Sequence, residues 1–311
     1  MGMIGAIRHQ ITRRRLARPL GFIHIPKAGG TGMLAHLDAT LRPKSSVYWL
    51  DRSQFGAFTD FSSMDPGMAA GIIDRTPATP ATADIIAGHI APSTLRARSP
   101  GALPVTILRL PTARLLSHWL YWRGYDDERL RAFGAWGQHI ALSRLDLAEF
   151  LSAPAIACQT DNLILRMLLW PHPLIPEAGF IDPAHDETLL AAAHQTLAGF
   201  AHVGVVENPD LTANLDAWLS RTYGISVWSR LRAAIPDHAE PKLNTARKLA
   251  RSLQTPLADQ LAGPGGQRLA ASSRLDLKLW QTTVARTLPG QSPDPLMITT
   301  FDRLISRYNQ L

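Results

Sequence analysis

Two hydrophobic patterns alternate along the first half of the chain. Gly21-Phe22-Ile23-His24-Ile25 is a short apolar run ended by Pro26, the pattern of a buried strand. After a glycine-rich turn, Met33, Leu34, Leu37 and Leu41 recur at helical spacing between Thr31 and Leu41. Asp84-Ile85-Ile86-Ala87-Gly88 and Pro104 to Leu108 read as second and third strands. The third leads into a helix from Pro111 to Arg123, with Pro111 at a tolerated first-turn position. Residues 43–82 carry no sustained period and are expected to form loops with short helices over the sheet edge. Beyond residue 140 the spacing is mainly helical: Leu145–Leu151, Thr160–Leu169, Asp186–Phe200, Asp210–Tyr223, Thr245–Leu261 (kinked or split at Pro256) and Ser272–Leu288. One further strand is expected over His202–Val206. Strands alternating with helices predict an α/β, three-layer fold: a mainly parallel central sheet flanked by helices, with a helix-rich C-terminal half.

At 311 residues, 46% hydrophobic and 18% charged, the chain has the composition of an ordinary soluble globule. It contains no apolar run of the roughly 20 residues that a membrane-spanning helix needs. The net charge of +7 suggests a nucleic-acid partner until it is located. Arg8, Arg13, Arg14, Arg15 and Arg18 lie within residues 1–18, where there is no acid, so five of the seven net charges belong to one end. The expected organisation is a solvated, poorly ordered basic tail over 1–18, a single catalytic domain over 19–290 and a C-terminal helical extension over 291–311. Nucleic-acid contact is disfavoured, and anionic-membrane contact through the tail is a minority reading. The tail lacks the apolar core of a secretory signal, and Ala6 breaks the myristoylation pattern that Gly2 begins. The single cysteine, Cys158, excludes an intramolecular disulfide and a multi-cysteine zinc site. A cytoplasmic, reducing compartment is therefore expected, with Cys158 as a small buried hydrophobe.

The first candidate chemistry is Pro26-Lys27-Ala28-Gly29-Gly30-Thr31-Gly32, which joins a strand to a helix. Unpaired amides and the positive end of the helix dipole favour an anion there. Glycine lets the backbone close around phosphate oxygens, Thr31 offers a hydroxyl, and Lys27 adds a mobile charge. The order differs from a Walker A loop, in which lysine follows the last glycine, so an ordinary NTPase is disfavoured. The competing structural reading is a glycine turn with a surface lysine.

Phe22 to Thr31 resembles the 5′-phosphosulfate loop of carbohydrate sulfotransferases of the heparan 2-O-sulfotransferase type and their bacterial relatives, with departures at Ala28 and Gly32. Val105 to Ser117 is similar to that family's 3′-phosphate segment, with Leu110 in place of its aspartate. The resemblance implies that Arg109 and Ser117 grip the ribose 3′-phosphate of 3′-phosphoadenosine 5′-phosphosulfate (PAPS). Arginine's planar fork suits such an oxyanion. In Ala87-Gly88-His89-Ile90 the resemblance implies His89 as general base, and an imidazole is chemically suited to that role. His24 reads as structural, and Arg114 as a support of the fold or the site periphery. Asp161-Asn162 with Arg166, Val203 to Glu207, Leu243-Asn244 and Arg274 to Trp280 resemble later segments of the family, so the likeness spans about residues 20–285. Arg166 is open between ligand binding and a buried ion pair.

The resemblance implies a P-loop-like sulfotransferase that moves a sulfonate from PAPS to an acceptor hydroxyl, on a glycan by analogy. Lys27 and the amides of Gly29 to Gly32 would hold the leaving 5′-phosphate, His89 would take the acceptor proton, and no metal is called for. The rival readings are a magnesium-dependent, kinase-like NTPase and a non-catalytic protein with a degenerate nucleotide pocket.

Overall fold

The computed structural model describes residues 13–73, 82–225 and 253–309. In chain order its main elements are β1 (Leu20–Ile23), α1 (Gly30–Leu41), β2 (Ser46–Asp51), β3 (Ile72–Ile73), β4 (Ile85–His89), α2 (Pro92–Arg98), β5 (Leu103–Leu108) and α3 (Pro111–Arg123). They continue as α4 (Leu163–Leu169), α5 (Asp186–Ala198), β6 (His202–Val205), α6 (Leu211–Tyr223), α7 (Arg274–Thr287) and α8 (Pro293–Asn309), with shorter helical segments between. The strands form one sheet in the order β3-β2-β4-β1-β5-β6, and every pairing is parallel. This is the expected three-layer α/β fold, and the sheet is entirely parallel among the described residues.

Alternation along β1 shows how the layers form. Leu20 and Phe22 turn to one face, where they pack with Met33, Leu37 and Leu41 of α1 and with Leu215 and Leu219 of α6. Ile23 turns to the other face and joins the larger core built with Leu95, Leu116, Leu165, Leu189 and Leu279 from α2, α3, α4, α5 and α7. Gly21 has no side chain on that second face because α2 approaches it closely: an added Cβ would stand 2.2 Å from Leu95 Cδ2.

Three expectations change. Residues 43–73 form the expected loops and short helices and in addition supply β2 and β3, so the sheet gains two strands at that edge. β2 is half-exposed and has no clean two-residue period, so its alternation was weak, although Val47, Tyr48 and Trp49 are residues that strands favour. The N-terminal tail, expected over 1–18, is docked from Arg13 onward. Arg14 exchanges backbone bonds with Arg42 and Lys44, Leu16 is buried, and the Leu16 amide donates to the buried Asp84 carboxylate at 3.0 Å. One apolar side chain in the basic run, together with an acid to receive its amide, anchors these residues. The expected extension 291–311 holds α8, whose Leu304 and Tyr308 belong to the main core.

Helix positions otherwise follow the sequence pattern closely. The Leu243-Asn244 pair and the 245–252 portion of the expected Thr245–Leu261 helix lie outside the described residues, whereas 257–262 is helical. The Asp161-Asn162-Arg166 segment is a structural clamp. Arg166 is buried and pairs with Asp161 at 2.8 Å, and Asn162 Oδ1 accepts the Leu275 amide at 2.8 Å, joining α4 to α7. This decides Arg166 for the buried ion pair.

Gly88 is the tightest point of the sheet. Its φ is +150°, and an added Cβ would fall 1.8 Å from the Trp49 carbonyl oxygen of β2. Gly88→Ala is expected to destabilise the fold by about 3 kcal/mol or more, measured by denaturant unfolding, because both the backbone conformation and the strand spacing oppose it.

Candidate active site

Since all strands run the same way, the segments after β1, β4, β5 and β6 emerge at one edge, and the β4-β1-β5 order sets them side by side. In parallel α/β sheets that edge is where ligands bind. The 24–30 loop lies between His89, which ends β4, and Arg109, which follows β5.

The loop is held open by its backbone. Lys27 and Gly29 have φ of 66° and 77°, which lets α1 begin abruptly at Gly30. No side chain caps α1, and the amides of Gly30, Thr31 and Gly32 have no backbone partner among the described residues. Amides left without a backbone partner at a helix start have the geometry that favours an anion. Ala28 is buried and bonds its amide back to Ile25, so it shapes the loop from below, while Thr31 is exposed and Gly32 half-exposed. Gly30 is required by its neighbour, because a Cβ there would meet the His24 ring at 1.9 Å.

Arg109 Nη1 donates to the Lys27 carbonyl at 2.9 Å, tying the end of β5 to the loop. The Lys27 ammonium lies 3.7 Å from the centre of the Tyr121 ring, a cation–π contact that holds the charge over α3. Arg114, Ser117, His118 and Tyr121 fall at positions i, i+3, i+4 and i+7 along that helix and so share a face. Ser117 is half-buried on it. Arg114 is only 1% exposed, and burial pushes its guanidinium down to about 10, with Asp276 opposing that shift and Arg109 adding to it. His118 is 4% exposed, and neither ring nitrogen has a hydrogen-bond partner. Burial first, and then the charges of Arg114 and Lys27, hold it well below the usual histidine range.

His89 is the best-defined titrating group. Its Nδ1 donates to the His24 carbonyl at 2.5 Å, so the Nε2 lone pair is the basic atom of the neutral ring. Desolvation, with Lys27 adding to it and the His24 bond opposing it, lowers its pKa to about 4. The Tyr48 hydroxyl of β2 lies 3.2 Å from Nε2 and 2.8 Å from His24 Nδ1. The His24 and His89 rings are 4.4 Å apart. His24, read from sequence as structural, is thus in direct contact with the candidate base.

The structure gathers Lys27, the glycine loop, Arg109 and His89 at one edge, with the α3 face that carries Ser117 against them. Sequence reasoning did not find Tyr48, His118, Tyr121 or Glu207. Glu207, just past β6, accepts the Leu110 amide at 2.8 Å and the Trp280 indole at 3.1 Å. Burial raises its pKa, against the opposing pull of the Leu110 amide, the Trp280 indole and, less, Arg109. A carboxylate therefore stands beside position 110, where the chain itself carries leucine. Tyr121 and His118 were legible as the helix-face companions of Ser117, whereas Tyr48 and Glu207 reach the site only through sheet pairing. Cys158 is buried, and its thiol is pushed up to about 12 by burial, as befits an inert hydrophobe. Among the described residues, no three His, Cys, Asp or Glu side chains are grouped to hold a metal ion, and no helix is long and apolar enough to cross a membrane.

No protein-family model matches this chain, and no curated protein sequence matches it.

Asp276 of α7 is the buried acid facing Arg114. Its pKa is raised to about 6 by burial, against the pull of Arg114 and the Ile164 and Leu165 amides. A carboxyl raised on folding binds more protons in the folded chain, so its contribution to stability is full below about 4 and is lost as pH rises towards 6. The stability difference between the wild type and Asp276→Asn is expected to shift by about 2 kcal/mol against the wild type between pH 4 and 6, measured by urea unfolding at each pH.

Proposed function

We propose that this chain is a sulfotransferase that moves a sulfonate from PAPS to an acceptor hydroxyl. The observation that carries the reading is the convergence of an uncapped helix start, Lys27 and Arg109 with a neutral imidazole whose basic nitrogen is defined by its hydrogen bonds. Cationic and amide donors suit a doubly phosphorylated nucleotide. A base beside them suits proton removal from a hydroxyl.

In this mechanism the amides at the start of α1 hold the 5′-phosphate, and Lys27 leaves the Tyr121 ring to neutralise it as the S–O bond breaks. Arg109, which also holds the loop carbonyl, engages the 3′-phosphate, with Ser117 beside it. The acceptor oxygen attacks sulfur in line while its proton passes to His89. A glycan acceptor and a cytoplasmic setting belong to the same proposal and derive from the resemblance alone.

Calorimetric titration without metal is expected to give micromolar binding of adenosine 3′,5′-bisphosphate. AMP should bind more weakly, and Arg109→Ala should weaken the bisphosphate by roughly tenfold to a hundredfold, as expected for loss of a charge-assisted contact. Absence of bisphosphate binding, or a preference for ATP with magnesium, overturns the reading.

The pH profile of PAPS turnover supplies a second check. His89 is neutral and competent above its lowered pKa, so kcat/KM should fall as pH drops through about 4 instead of near 6.5. His89→Asn should abolish that limb and lower the rate by at least about a hundredfold.

A further inference from the structure

The atom of His89 that must take a proton is already engaged. His89 Nδ1 faces a carbonyl, which cannot donate, so Nδ1 carries the ring proton and Nε2 the lone pair. Tyr48 has one hydroxyl proton and two nitrogen neighbours. The assignment that satisfies all three groups has Tyr48 donating to His89 Nε2 and His24 Nδ1–H donating to the Tyr48 oxygen. That oxygen keeps one further lone pair, and the Tyr48 side chain is 44% exposed. The ring packs edge-on against both His24, which opens the loop, and His89, with centroids 5.9 and 5.8 Å away, so it stands at the loop edge of the sheet.

We propose that Tyr48 is a catalytic relay residue, the group that receives the acceptor's hydroxyl proton and passes its own to His89. This rests on the sulfotransferase reading above and deepens it. As the acceptor oxygen forms its bond to sulfur and the sulfur–phosphate oxygen bond breaks, with its electron pair remaining on the 5′-phosphate, the acceptor proton moves to the Tyr48 oxygen. The original Tyr48 proton moves in the same step to His89 Nε2. The products are a sulfate ester, the bisphosphate, a neutral phenol and an imidazolium held by the His24 carbonyl. Burial keeps the phenol from ionising near neutral pH, which suits a conduit and not a free phenolate base. His24 is a positioning residue in this scheme: its Nδ1–H aims the Tyr48 oxygen.

The relay predicts two protons in flight where direct transfer has one. PAPS turnover, with water as the acceptor, would be measured by release of adenosine 3′,5′-bisphosphate in mixtures of light and heavy water, for the wild type and Tyr48→Phe. The wild type is expected to give a curved dependence of rate on deuterium fraction. Tyr48→Phe is expected to be slower by about a hundredfold, with a linear dependence. In parallel, nitrogen NMR of the histidine rings reads the hydrogen bonds without any turnover: Tyr48→Phe should shift both His89 Nε2 and His24 Nδ1. An unmoved His89 signal, or an equally linear dependence in wild type and variant, overturns the relay. Shifted signals in a protein that shows neither PAPS turnover nor bisphosphate binding overturn the sulfotransferase reading instead, and leave a hydrogen-bonded trio without that chemistry.

Discussion

The main chain of residues 24–27 is the hub on which the site depends. β1 is paired in parallel on both sides, so the peptide that leaves it is flanked by the ends of β4 and β5. Three bonds use that position: the His24 amide donates to the Gly88 carbonyl, the His24 carbonyl accepts from His89, and the Lys27 carbonyl accepts from Arg109. A basic ring, an arginine and an uncapped helix start are thereby referenced to one short stretch of backbone. Backbone atoms locate side chains more rigidly than surface contacts do, because a buried carbonyl or amide without a partner costs about 1–3 kcal/mol.

Electrostatics at this edge are unbalanced in a way that favours an anion. Lys27, Arg109 and Arg114 gather near two buried or half-buried acids, Glu207 and Asp276, and the same low-dielectric surroundings raise both acids while lowering His89 and His118. The acids are already committed to amides and an indole. Keeping the histidines neutral has a chemical consequence, since a neutral imidazole accepts protons and an imidazolium does not. Burial here sets protonation states as much as it stabilises the fold.

Away from the site, polar clamps hold the helical layer in register. Asp161 binds Arg166 and the Ile181 amide, Asn162 binds the amides that begin α7, and Arg274 reaches Asp186. Because α7 also carries Asp276 and Trp280, this clamp fixes the groups that face Arg114 and Glu207. The buried ion pair at Arg166 thus supports the site indirectly, through helix placement.

Local pattern was enough to read four of the strands, most of the helices and the glycine-rich loop that joins β1 to α1. Apolar runs, helical spacing and the Lys27–Gly32 composition are set by neighbours in the chain, and Arg109 and His89 were visible because each ends an apolar run. β2 escaped because it lies towards the sheet edge, half-exposed, where burial no longer imposes a clear alternation. The docking of Arg13 to Arg18 escaped because it depends on Asp84, about seventy residues away. The sequence by itself therefore determined the layers, the loop and the types of chemical group available. Only the tertiary structure decided that Tyr48 would meet His24 and His89, that Tyr121 would receive Lys27, and that Glu207 would stand beside Leu110. Those meetings depend on strand order and on the crossings of helices over the sheet, which no local periodicity encodes.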